Sequence, residues 1–285
     1  PDQSRTFVGR IVYASLCDKL VEITPDLEIV PALATGWEWN ADGTELTMTL
    51  REDVVFHDGT PFNAEAVAAN INRSKNLETS RRKSEVRSIE SWEMVDEFTI
   101  KMTLAAPDAT LIAQFADRSG MMLSPTAFDA AGEDFGLAPV CAGPFKFVER
   151  VQQDRIVLEK FADYYRADEI SFDSVTFLPI PDTTVRLANL RAGDLDMLER
   201  LAATDAGSVE GDSGLQLEKA TSLGYQGMTI NVANGARAEN PLGQSSAVRQ
   251  ALSLSIDRAA LNQVVFEGAF APGNQPFSPA SPWYN

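Results

Sequence analysis

Apolar residues recur along this chain with periods that assign most of its elements. From Phe7 to Val21 they stand at Phe7, Ile11, Val12, Leu16 and Leu20, which predicts a helix or a helix running into a strand. Trp37-Glu38-Trp39, the turn Asn40-Ala41-Asp42-Gly43 and the alternating Leu46-Thr47-Met48-Thr49-Leu50 predict a hairpin with one buried face. Phe98, Ile100, Met102 and Leu104 repeat that alternation after the turn residues Asp96-Glu97. Between the two runs, Asn63 is a good N-cap for a helix carrying Ala66, Val67, Asn70 and Ile71 at helical spacing. Arg81-Arg82-Lys83 reads as a solvated loop.

Beyond Pro139 the pattern lengthens. Ile156-Val157-Leu158 and Val175-Thr176-Phe177-Leu178 read as strands. Asp182 caps a helix to Arg191, Gly193 closes it, and Leu195-Asp196-Met197 reads as the next strand. Strand, helix, strand in that order predicts a parallel α/β sheet. Tyr225 to Val232 reads as a further strand. Ser245 or Ser246 then caps a helix through Ile256, and Asp257 caps another that ends near Gly268. The tail from Ala271 holds Pro272, Pro276, Pro279 and Pro282, and no internal repeat is present.

Charge narrows the function classes. Lys and Arg number 24 against 41 Asp and Glu, a net charge of −17, which argues against a nucleic acid or an anionic membrane surface as partner. Apolar residues at 44% and charged residues at 23% describe a folded globular chain rather than a disordered one. The 285 residues are enough for about two domains. No apolar run is long enough for a membrane span, and no secretory signal is present. The start at Pro1 reads as processing or cutting. Cys17 and Cys141 are too few for a zinc site, but they suffice for one bridge, which would imply an oxidising compartment.

Catalytic patterns are absent: no phosphate-cradling glycines, no paired-histidine metal motif and no Cys-x-x-Cys. A Ser–His–Asp site could rest only on His57, in Phe56-His57-Asp58-Gly59, where turn chemistry favours a structural role. Asp194 and Asp196 could pair on one strand face, although solvation of a strand edge explains them as well. Asn72-Arg73-Ser74 matches the glycosylation tripeptide but falls inside a predicted helix. No cofactor is expected.

Several separated segments carry a resemblance. Pro31-Ala32-Leu33-Ala34-Thr35-Gly36-Trp37, Leu46 to Arg51, and Val55-Phe56-His57-Asp58-Gly59-Thr60-Pro61-Phe62-Asn63-Ala64-Glu65-Ala66-Val67 resemble the peptide/nickel class of extracellular solute-binding proteins of ABC importers, family 5. Gly143-Pro144-Phe145-Lys146-Phe147, Asp163-Tyr164-Tyr165, Arg186 through Gly193-Asp194-Leu195-Asp196, and Val248-Arg249-Gln250-Ala251 to Ile256-Asp257-Arg258 resemble its later landmarks, in the family's order. Two departures stand out. Cys141-Ala142 replaces the usual Gly-Thr, and Tyr13-Ala14-Ser15-Leu16, with Cys17 next, replaces Tyr-Glu-Gly-Leu.

The resemblance implies a two-lobed α/β fold of the periplasmic-binding-protein type II kind with an inserted hairpin-rich subdomain, truncated in the second lobe. Its base lobe would comprise residues 1–30 and 143–228, the insert 31–142, and the start of the second lobe 229–285. The family fold brings Cys17 and Cys141 near each other, which implies a disulfide. Ligand-facing positions carried over are Ser15, Leu16 and Cys17 on the first loop, Arg118, Gly120 and Met121 on a second segment, and, more weakly, Tyr225 and Gln226. Arg118 could hold a carboxylate bidentately or simply pair with Asp117.

The implied function is capture of a small solute, a peptide the leading class, for delivery to ABC permease subunits. The implied location is the periplasm or cell exterior, with a lipid anchor as a variant. Free nickel is disfavoured, since one histidine and no cysteine cluster make a poor metal site. The resemblance implies that this chain is a fragment, which would bind ligand weakly or not at all and expose an apolar helix face of the second-lobe remnant. Two alternatives remain open: an α/β hydrolase-type enzyme, and a peptide-sensing interaction protein on the same fold.

Overall fold

The structure, a computed structural model, describes residues 1–4 and 6–285. It divides into two compact units, Pro1–Pro179 and Ile180–Asn285. The first unit opens with helix α1 (Phe7–Leu16), capped by the Thr6 side chain, which accepts from the Gly9 N–H. A two-stranded antiparallel ribbon follows, β1 (Val21–Ile23) with β2 (Ile29–Pro31).

The predicted hairpin is β3 (Ala34–Trp39) and β4 (Glu45–Leu50). Helix α2 (Ala64–Asn76) starts at Asn63 as expected, with the Asn63 carboxamide accepting from the Ala66 N–H at 3.0 Å. Glu65 in its first turn and Arg73 and Lys75 in its last complement the helix dipole. Strands β5 (Ile89–Asp96) and β6 (Thr99–Leu104) complete an antiparallel sheet in the order β3-β4-β6-β5. Its register aligns Trp37, Met48, Ile100 and Met94 in one cross-strand row and Trp39, Leu46, Met102 and Trp92 in the next. Leu46, Met48, Ile100 and Met102 are fully buried against Val67 and Ile71 of α2, and the alternate residues Thr47, Thr49 and Lys101 form the polar face.

Short helices α3 (Leu111–Gln114) and α4 (Pro125–Ala131) lead to a three-stranded antiparallel sheet of β7 (Phe145–Val151), β8 (Arg155–Lys160) and β9 (Ser174–Phe177). This sheet corrects the expected parallel arrangement. β7 and β8 form a hairpin whose turn has Gln153 at φ 64°, so no glycine announces it in the sequence. Arg82 is a second correction: it lies 4% exposed rather than in a solvated loop, because Glu85 pairs with its guanidinium.

The second unit is helical, with α5 (Thr183–Ala192), α6 (Ala206–Glu210), α7 (Pro241–Gln244), α8 (Ser246–Leu254) and α9 (Arg258–Phe266). Asp182, Asn240, Ser245 and Asp257 cap their helices, and Gly193 closes α5 at φ 83°. Leu195-Asp196-Met197 and Tyr225–Val232 are not strands. No strand is paired beside them among the described residues of this unit, and an alternating run without a partner has no ladder to satisfy its backbone.

Candidate ligand-facing site

The first loop is built by an irregular ladder. α1 stops at Leu16, Cys17 turns extended, and the chain runs out between two neighbours. On one side the Leu33 and Ala34 amides donate to the Lys19 and Leu20 carbonyls. On the other, the Leu20 N–H donates to Gly120 O at 2.9 Å and the Met122 N–H to Asp18 O at 3.0 Å, with Lys19 opposite Met121. The ladder continues where Leu123 pairs with Cys141 and the Ser124 N–H donates to Val140 O. The segments holding Leu16, Cys17, Gly120 and Met121 are thereby brought together in the first unit. A disulfide joins Cys17 to Cys141, Cα to Cα 4.9 Å.

Close approach fixes two glycines here. A Cβ on Gly143 would lie 2.4 Å from Leu16 O, and one on Gly120 would lie 1.9 Å from Phe115 O. Only a residue without a side chain lets these backbones pass. Leu16, Cys17 and Met121 bury their side chains in the adjoining core, so only their backbone is offered outward. Ser15 is half-buried, with its hydroxyl donating to Ile11 O at 3.3 Å.

His57 braces the same segment. Its N–H donates to Cys141 O at 2.9 Å, its Nδ1 accepts from the Cys141 N–H at 3.3 Å, and its Nε2 lies 3.0 Å from Gly143 O. Nε2 also lies 3.3 Å from the Gly143 N–H; a neutral ring protonated on Nε2 satisfies the shorter contact to Gly143 O together with the Cys141 N–H, whereas a second proton on Nδ1 would face that N–H. Burial holds its pKa down to about 4, outweighing the backbone carbonyl of Gly143 and the charge of Asp58. Among the described residues, no hydroxyl or thiol nucleophile accepts from this ring. The buried Ser124 hydroxyl instead donates to Asp58 at 2.5 Å while capping α4.

Asp18 is a residue that sequence reasoning passed over. Its carboxylate accepts from the Tyr164 hydroxyl at 2.8 Å, and burial raises its pKa against the opposing effect of Tyr164 and Tyr165. Arg51 stacks 4.2 Å above the Tyr165 ring and forms a two-pronged pair with Asp53. An acid directly after a buried cysteine was the available signal. Asn70 was also passed over: its carboxamide bonds the Leu123 backbone from inside the core.

Arg118 donates through Nη1 to the carbonyls of Ser4 and Thr6, with Nε 3.8 Å from Asp117. Tyr225 and Gln226 lie in the second unit on an exposed irregular stretch, with Tyr225 at 65% exposure. Asp194 and Asp196 are both exposed and outside any strand, and the described residues hold no cluster of three or more metal-ligating side chains. Among the described residues, no helix is long and apolar enough to cross a membrane.

The fold as a whole has counterparts among solved solute-binding proteins. The oligopeptide-binding protein AppA of Bacillus subtilis, solved with a nonapeptide, superposes with a TM-score of 0.84 at 24% identity, covering 99% of this chain and 56% of that one. The ABC transporter-associated periplasmic binding protein DppA of Helicobacter pylori, solved with the peptide STSA, gives 0.82 at 25% identity, covering 93% and 55%. The fold class is thus the α/β fold of type II periplasmic binding proteins. Residues 28–285 match the bacterial extracellular solute-binding proteins, family 5 Middle, and the chain belongs to that family. The glutathione-binding protein GsiB of Pectobacterium atrosepticum is 31% identical over 277 residues, 97% of this chain and 53% of the relative. The chain therefore spans about half the length of the curated relatives it matches.

Proposed function

We propose that this chain belongs to the solute-capture component of an ABC importer, which holds a small peptide or peptide-like solute between two lobes and hands it to membrane permease subunits. The family match over residues 28–285 carries this reading. Relatives and structural neighbours named for glutathione and for peptide ligands support the peptide class. The hydrolase alternative has no support in the family, and both ring nitrogens of His57 face backbone. In this reading residues 1–30 and 143–228 belong to the base lobe, 31–142 to the insert and 229–285 to the second lobe. Ser15 and the backbone of Leu16, Cys17, Gly120 and Met121 line the ligand side with Arg118, and Tyr225 and Gln226 are candidate ligand contacts carried by the second unit. The protein works in the periplasm, where a Cys17–Cys141 bridge is chemically at home.

Mass spectrometry of the solute retained by the full-length protein, purified without denaturant, tests the reading. A peptide or γ-glutamyl peptide released on unfolding is the expected result. A retained sugar, lipid or nucleotide, or turnover of an offered peptide, would overturn it.

A further inference from the structure

Three arginines converge beside the ligand-side segment in a chain of net charge −17. Arg10 comes from α1, Arg82 from the loop after α2, and Arg118 from the turn after α3. Asp117 joins two of them: it accepts from Arg10 Nη2 at 2.5 Å and lies 3.8 Å from Arg118 Nε. Arg82 Nη2 and Arg118 Nη1 share the Ser4 carbonyl, at 2.9 and 3.2 Å, and Arg82 Nη1 pairs with Glu85. Three guanidinium groups thus stand against two acids, and burial favours the neutral form of Glu85.

The cluster is short of acceptors. The Nε atoms of Arg10, Arg82 and Arg118 are all buried without a hydrogen-bond partner, and the Arg82 side chain is only 5% exposed. Among the described residues, Arg10 Nη1 and Arg118 Nη2 also have no protein partner. One acceptor, Glu85 Oε2, is likewise unpartnered, too few for the donors present. Each unpaired buried donor has lost its water without gaining a hydrogen bond in exchange. A carboxylate supplies two acceptor oxygens in the fork geometry that guanidinium groups match.

We propose that Arg10 and Arg118, backed by Arg82, form a binding site for a carboxylate group of the captured solute. This deepens the capture reading, and its physiological use rests on that reading. Arg10, 43% exposed, is the accessible arm, while Arg82 holds the segment at Ser4 in place behind it.

The test is titration of the whole chain with succinate, and with the neutral isostere succinamide, at constant ionic strength. The arginine Nε–H resonances give the readout. Succinate should shift the Arg10 and Arg118 signals saturably, and succinamide should not. Arg10→Gln and Arg118→Lys should each weaken succinate at least tenfold, whereas Arg81→Gln, on an exposed neighbour, should leave it unchanged. Arg10→Gln removes only a half-exposed side chain, so it keeps the test valid if Arg118→Lys disturbs folding. Equal responses to succinate and succinamide, or succinate binding indifferent to Arg10→Gln, would overturn the site. Peptide binding without succinate binding would sink the site and leave the capture reading standing. Succinate binding with no peptide bound by the full-length protein would do the reverse.

Discussion

The Asn70 carboxamide reads the backbone of Leu123 as a neighbouring strand would. Its Nδ2 donates to Leu123 O at 2.8 Å and its Oδ1 accepts from the Leu123 N–H at 3.0 Å, from a side chain buried on α2. Nδ2 also reaches Ala66 O one turn back. A helix is thus fastened to the segment that pairs with Cys141. Asn70→Leu would leave both Leu123 groups buried and unpaired, and should cost about 2–4 kcal/mol in denaturant unfolding. Asn70→Asp keeps the acceptor but loses the donor and buries a charge, so it should be no better. A loss below about 1 kcal/mol in both variants would show that this fastening does not hold the ladder.

The Cys17–Cys141 bridge closes a loop of sequence separation 124. In the chain-entropy account such a loop stabilises by about 4–5 kcal/mol. Cys17→Ala with Cys141→Ala should lower unfolding stability by an amount of that order, and reduction of the wild type should act similarly. Alkylation of unfolded, unreduced protein should label neither thiol. Two labelled thiols in freshly isolated protein would contradict the bridge.

Local periodicity made the first unit legible. The β3–β4 hairpin, the Asn63 cap of α2 and the alternation in β6 all follow from spacing that one buried face imposes. The β7–β8 hairpin was hidden because Gln153 occupies the left-handed conformation that glycine usually marks. Tyr225–Val232 carries strand-forming residues, but a strand exists only with a neighbour, and one segment's own pattern cannot report its partner. The same limit applied to the site. Leu16, Cys17, Gly120 and Met121 came from resemblance, and the structure gathers them into one ladder. Arg82 looked solvated because a run of like charges says nothing about burial, although Glu85 three residues on was a signal. Asn70 sat at an apolar helical position, and a polar residue on such a stripe is the mark of a buried hydrogen bond.

Leu27 turns the β1–β2 ribbon at φ 67°, with its N–H donating to Thr24 O at 2.9 Å. A side chain in the left-handed region costs about 1–2 kcal/mol, whereas glycine enters it freely. Leu27→Gly should therefore be more stable than Leu27→Ala by about 1 kcal/mol, the reverse of their order within regular structure. Comparing these two variants removes the packing of the leucine from the measurement. Equal stabilities, or a more stable alanine variant, would show that this turn relaxes when the leucine is removed.

His57 makes stability depend on pH with a definite sign. Burial lowers its folded pKa to about 4, against an ordinary value of 6.5 in the unfolded chain. Between these values the unfolded chain binds the extra proton and the folded protein does not, so acid favours unfolding. The contribution is fully present above about pH 6.5 and is lost as pH falls towards 4, on the order of 3 kcal/mol in all. Asp18 and Glu85 act in the opposite sense, because burial raises both and protonation relieves the cost of their charge. The clean measurement is therefore the difference between wild type and His57→Gln, since both proteins carry those acids. At about pH 7.5 the wild type should be the more stable, because the Nδ1 contact to the Cys141 N–H and the Nε2 contact to Gly143 O are both in place. The gap should narrow as pH is lowered through the window from 6.5 to 4 and then stay level. A gap independent of pH would mean that His57 is solvated well enough to keep its ordinary pKa. A gap that widens in acid would mean that the charged ring is the form the fold prefers.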